Sequence, residues 1–71
     1  MSWHDEIMAM FAVGDVKTVP EICEKLVVTH PHYMASTLRA KAYAVLNTAT
    51  KYGIVEKVGT VGQCVMWRRL I

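Results

Sequence analysis

The chain has few cysteines, prolines and glycines, and each scarcity excludes a class of protein. Only two cysteines, Cys23 and Cys64, occur in 71 residues, and both sit among apolar neighbours. A secreted disulfide scaffold needs more of them, so these are expected to be buried free thiols. There is no Cys-x-x-Cys, and His30 and His32 flank a proline without zinc-ligand spacing, so no metal site is expected. No glycine-rich phosphate loop or nucleophile elbow is present, and the acids gather near helix starts, where capping accounts for them. We therefore expect neither enzymatic activity nor a cofactor. No apolar run approaches the roughly 20 residues of a membrane span. The opening Met1-Ser2-Trp3-His4-Asp5-Glu6 also lacks the basic-then-apolar order of a secretory signal. The expectation is a cytoplasmic protein without a membrane partner, associated with the nucleoid if it binds DNA.

What the chain does have is apolar content, with 54% hydrophobic residues against 20% charged. A chain this short can build one small core, in which burial must be efficient to offset an ordering cost of about 1.5 kcal/mol per residue. One domain over residues 1–71 is expected. The net charge of +2 conceals an asymmetry. Residues 1–24 carry Asp5, Glu6, Asp15, Glu21 and Glu24 against Lys17, which is −4. Residues 25–71 carry Lys25, Arg39, Lys41, Lys51, Lys57, Arg68 and Arg69 against Glu56, which is +6. Such a bipolar chain presents a basic side to something acidic, nucleic acid being the commonest partner.

Periodicity supplies the elements. Trp3, Ile7, Met10 and Phe11 recur on one helical face and predict a helix over residues 2–13, capped by Ser2 and stopped by Gly14. Residues 15–17 read as a short extended link. Thr18 and Glu21 then form a capping box that opens a brief second helix ending near Val27 or Val28, with Val19, Ile22, Cys23 and Leu26 inward. Residues 29–33, with Pro31, turn the chain. A long third helix is predicted from a Ser36 cap, or from an earlier start with Pro31 in its first turn, to about Tyr52, with Leu38, Ala42, Val45, Leu46, Ala49 and Tyr52 on its core arc. The opposite arc holds Ser36, Ala40, Tyr43, Asn47 and Lys51. After Gly53, residues 54–58 and 63–70 read as strands around a glycine-bounded turn at 59–62, with Val65, Trp67 and Arg69 on the packed face. A hairpin of two strands is not stable alone and must lean on the helices.

The order of elements and three short segments together resemble a winged helix-turn-helix domain. Gly14-Asp15-Val16-Lys17-Thr18-Val19-Pro20-Glu21-Ile22-Cys23-Glu24-Lys25-Leu26 is similar to the link and second helix of that superfamily. Ser36-Thr37-Leu38-Arg39 is similar to the opening of many recognition helices. Lys51-Tyr52-Gly53-Ile54-Val55-Glu56-Lys57 resembles the exit into the wing. The implied fold is α+β, with three helices, a two-stranded wing and an optional short strand between the first two helices. Relative to the family, a third helix opening at Ser36 is longer, since counting back from Gly53 places the usual start near Leu38 to Ala42.

The resemblance implies binding to double-stranded DNA as a transcriptional or replication-associated regulator, with the third helix in the major groove and the wing on the backbone. Arg39 is then suited to a guanine edge and Asn47 to adenine. Ser36 and Thr37 suit a phosphate near the helix start. Lys41, Lys51 and Lys57 would add charge, Ala40 and Tyr43 would lie at the interface, and Thr60, Gln63 and Arg68 (or Arg69) would contact DNA from the wing. Specific recognition by so small a module calls for a homodimer, with Trp3, Met8, Leu70 or Ile71 at its contact. Alternatively the third helix binds a protein through Tyr43, Ala40 and Ala44, because hot spots favour tyrosine and arginine. A single-strand reading would need Trp67 and Tyr43 to stack on bases.

Overall fold

Six elements follow one another in the computed structural model, which describes residues 2–71. They are α1 (Trp3–Met8), β1 (Val16–Thr18), α2 (Val19–Thr29), α3 (Ala35–Lys51), β2 (Val55–Val61) and β3 (Cys64–Arg69). The three strands make one antiparallel sheet in the order β1-β3-β2. The fold is thus a small α+β domain, and the residues read as an extended link form a sheet strand, with Lys17 opposite Trp67. No described helix is long and apolar enough to cross a membrane.

One apolar cluster joins all three helices to the sheet. Ile7 and Phe11 come from the first segment, Ile22 and Leu26 from α2, Leu38, Ala42, Leu46 and Ala49 from α3, and Val55 and Trp67 from the sheet. Each of the larger side chains, fully buried, contributes roughly 1.5–3 kcal/mol through the area it removes from water. The heptad-like spacing of Leu38, Ala42, Leu46 and Ala49 leaves the other side of α3 in solvent. Trp67 fills the centre of the packed sheet face, at the cost of an indole Nε1–H that is buried without an acceptor among the described residues.

The helix boundaries show where local pattern yields to tertiary contact. α1 stops at Met8 rather than Val13, although Ser2 caps it as its sequence predicts, its Oγ accepting from Asp5 N at 3.1 Å. The early stop has a visible cause. The Arg69 guanidinium reaches back from β3 and donates to the carbonyls of Met8 (3.0 Å) and Phe11 (2.8 Å). Carbonyls at a helix end need such donors, and here a charged one is supplied from the far end of the chain. Gly14, at φ +89°, serves a separate turn in which the Asp15 carboxylate accepts from Ala12 N at 2.9 Å. It is not the stop of α1.

α2 begins on the Thr18–Glu21 capping box, with Thr18 N donating to Glu21 Oε1 at 3.2 Å, and runs one turn position beyond Val28 to Thr29. α3 starts before Ser36. Met34 is its N-cap through the backbone alone, and Ser36 lies inside the first turn. At the other end Tyr52 is the C-cap and 70% exposed, so it is no part of the core arc: the chain has left the helix, and Gly53 turns at φ +74°.

The hairpin also differs from the expected one. β2 continues to Val61, an extra residue forms a bulge between Lys57 and Gly59, and the turn is only Gly62-Gln63. Of the two turn residues only Gly62 takes positive φ (+60°), which suits the first position of a two-residue turn that follows sheet twist. The bulge and Lys57 guard the outer edge of β2 against pairing with another strand. Cys23 and Cys64 are free thiols as expected, but only part-buried. Met8 is buried, at 6% exposure, so it is unavailable as a dimer contact.

Candidate nucleic-acid interface

The exposed side of α3 is set by the same periodicity that buries its core side. Ser36, Ala40, Tyr43, Asn47 and Lys51 fall within one arc and are all exposed, Tyr43 at 38%. Thr37 is half-buried on the flank. The helix contains 17 residues and no carboxylate, while Arg39, Lys41 and Lys51 are cationic. A solvated helix ordinarily mixes charges of both signs, because pairs three and four residues apart support it. Here the support comes from packing, and the free face carries positive charge with small and hydroxylated side chains between.

Not all the cations suggested by the sequence share that face. Lys41 is drawn toward α1, its Nζ 5.7 Å from the centre of the Trp3 ring. Arg39 lies on the opposite flank, beside α2, close enough that its charge acts on the Cys23 thiol. Burial pushes that thiol above its ordinary value of 9.0, and the Arg39 guanidinium pulls partly back. In the hairpin, Lys57 stands opposite Trp67 and rests over its ring at 5.3 Å, with an exposed ammonium side. Thr60 and Gln63 are exposed toward the tip.

Arg68 belongs to a different surface. It is on the sheet face away from Trp67, opposite Glu56, and donates to that carboxylate through Nη2 at 2.8 Å and Nε at 3.2 Å. This pair takes up Glu56, the only carboxylate of residues 25–71, so α3 and the helix-side face of the hairpin are left without an acid. Arg69 is spent on backbone carbonyls, including that of Ile71 at 2.7 Å, and is unavailable to a ligand. Trp67, at 1% exposure, presents no ring face on which a base could stack.

One cluster escaped the reading by periodicity. His30 Nε2 lies 2.6 Å from Glu6 Oε2, and its ring stacks on Trp3 with centroids 4.5 Å apart. Tyr33 meets both rings edge-on, at 5.4 and 5.6 Å. The residues are far apart in sequence and lie at a turn, where no hydrophobic period operates. The only local signal was the density of rings in His30-Pro31-His32-Tyr33. Among the described residues, no group of three His, Cys, Asp or Glu side chains is placed to hold a metal ion.

Comparison with known proteins adds nothing to this geometry: no protein-family model, curated protein or solved structure matches the chain.

Proposed function

We propose that this chain is a winged helix module that binds double-stranded DNA, with α3 in the major groove and the β2–β3 hairpin as the wing along the backbone. The observation that carries the reading is the exposed face of α3, built over 17 residues without an acidic side chain and with its flanking cations free of acidic partners among the described residues. The element order α1-β1-α2-α3-β2-β3, with β1 completing a three-stranded sheet, agrees with that fold. In this arrangement Arg39 and Asn47 address base edges, Ser36 and Thr37 a phosphate, and Lys51 and Lys57 the backbone on either side. Thr60 and Gln63 make the tip contacts. Arg68 is a lesser contributor, because Glu56 already neutralises it.

The test is a fluorescence-anisotropy titration of a random-sequence duplex at two salt concentrations. If Lys51 and Lys57 each neutralise one phosphate, log K falls against log salt with a slope of about −1.8. Absence of binding at low salt overturns the reading. A second reading, a protein partner on α3, is favoured by one observation. Tyr43 is exposed between Ala40 and Ala44, and Met34 (72% exposed) and Tyr33 (46%) are further exposed large side chains before the helix start.

A further inference from the structure

α1 is only six residues long, yet it reaches the turn that launches α3. That turn has little backbone bonding of its own. Tyr33 N donates to His30 O at 3.2 Å, and Leu38 N to Met34 O at 3.0 Å opens the next helix. Pro31 has no amide to offer, and Pro31, His32, Tyr33 and Met34 are all exposed. What holds the turn is Trp3. Its ring lies against His30 at 4.5 Å and meets Tyr33 edge-on at 5.4 Å. Lys41, from the second turn of α3, sits over the same ring at 5.7 Å. Glu6 fixes the imidazole from one turn further along α1, at 2.6 Å, with both side chains mostly buried (27% and 20% exposed). One indole therefore touches the end of α2, the turn and the start of α3.

We propose that the Trp3–His30–Glu6 cluster is a positioning device that sets where α3 begins and how it is presented to its ligand. The inference rests on the proposed DNA reading for its consequence, although the positioning itself is a property of the free protein. The cluster residues touch no nucleic acid in this scheme. They act by denying the turn alternative conformations, so that the ordering is complete before binding rather than at its expense. His30, as the C-cap of α2, has backbone angles outside the helical region (φ −129°, ψ 62°), and the side-chain contacts select them.

Two measurements test this on the full chain. The first is amide hydrogen exchange without DNA, comparing Glu6→Ala, Glu6→Gln and Trp3→Ala with the wild type at one pH. Exchange at Tyr33 and Leu38 is expected to rise about tenfold in Glu6→Ala, with the amides around Ala49 unchanged, the pattern of local rather than global opening. Glu6→Gln keeps an oxygen for His30 and is expected to restore protection. Uniform acceleration along α3, or none in Glu6→Ala, overturns the proposal; Trp3→Ala tells the same story only if it folds, and Glu6→Ala decides if it does not. The second measurement is random-duplex affinity, expected to fall several-fold in Glu6→Ala with an unchanged salt slope, since no phosphate contact is lost. A faster-exchanging turn with unchanged affinity overturns the link to binding. A wild type that binds no duplex overturns the DNA reading and leaves the exchange result to decide the positioning.

Discussion

Arg69 and Arg39 are both arginines of the basic half; Arg69 is bonded to backbone carbonyls, whereas the proposed function gives Arg39 a contact to DNA, and a paired substitution separates the two. In Arg69→Met the aliphatic stem is retained while three donations are lost, to Phe11 O (2.8 Å), Met8 O (3.0 Å) and Ile71 O (2.7 Å). A hydrogen bond to a charged group is worth about 1.5–3 kcal/mol when buried. The Ile71 bond is exposed, and the other two share Nη1 and are part-buried. A total near 2–3 kcal/mol follows after that discount. For a domain of this length the whole stability is about 3.5–10 kcal/mol, so the loss is a large fraction of it. Urea unfolding followed by circular dichroism is expected to show the midpoint falling with m unchanged, and Tm falling by about 10–20 °C. Duplex affinity of the folded protein is expected to stay within about twofold of wild type. Arg39→Ala should do the reverse, leaving stability within about 0.5 kcal/mol and weakening the preferred sequence by about 1–3 kcal/mol. If Arg69→Met leaves the midpoint alone and weakens binding as Arg39→Ala does, Arg69 is a ligand contact and the account of the α1 terminus is wrong.

Other outcomes follow from the same contacts. Arg39→Ala is expected to erase sequence preference, and Lys57→Ala to weaken all duplexes alike; equal losses on every sequence from Arg39→Ala would remove its base-reading role. Trp67→Phe loses ring area but also removes the buried Nε1–H that has no acceptor, so it should cost about 1–2 kcal/mol by thermal melts, against about 3–5 for Trp67→Ala. A Trp67→Phe loss as large as that of Trp67→Ala would show that the indole nitrogen is satisfied. The Cys23 thiol is raised by burial, so its thiolate fraction is below that of a free thiol at any given pH. Alkylation by iodoacetamide should be slow, with its rate profile displaced to higher pH, and slower still in Arg39→Ala, where the charge that partly offsets burial is gone. A rate matching that of a small-molecule thiol would contradict the burial. Because ionisation is disfavoured in the folded chain, Cys23 also subtracts stability as pH rises through the alkaline range, and Cys23→Ala should flatten that decline.

Sequence alone determined most of the core, Tyr52, Cys23 and Met8 excepted, and in what order the elements come. Leu38, Ala42, Leu46 and Ala49 repeat with the helical period, Thr18 and Glu21 form their capping box within four residues, and Trp67 alternates onto the packed sheet face; each rests on local geometry that periodicity encodes. The exposed arc of α3, with Ser36, Ala40, Tyr43, Asn47 and Lys51, followed from the same rule. Tertiary structure decided what depends on partners distant along the chain. Arg69 ends α1 at Met8, a bond across 61 positions that no window could contain. Glu56 captures Arg68 across the hairpin, and Trp3 draws Lys41 away from the α3 face, so cations equivalent by composition have unequal roles. His30 and Glu6, 24 positions apart, were legible only as a loop histidine and a helix-start acid. Side-chain periodicity reports which way a residue points, but charge pairing, ring stacking and helix termination are settled by whichever group arrives from elsewhere in the fold.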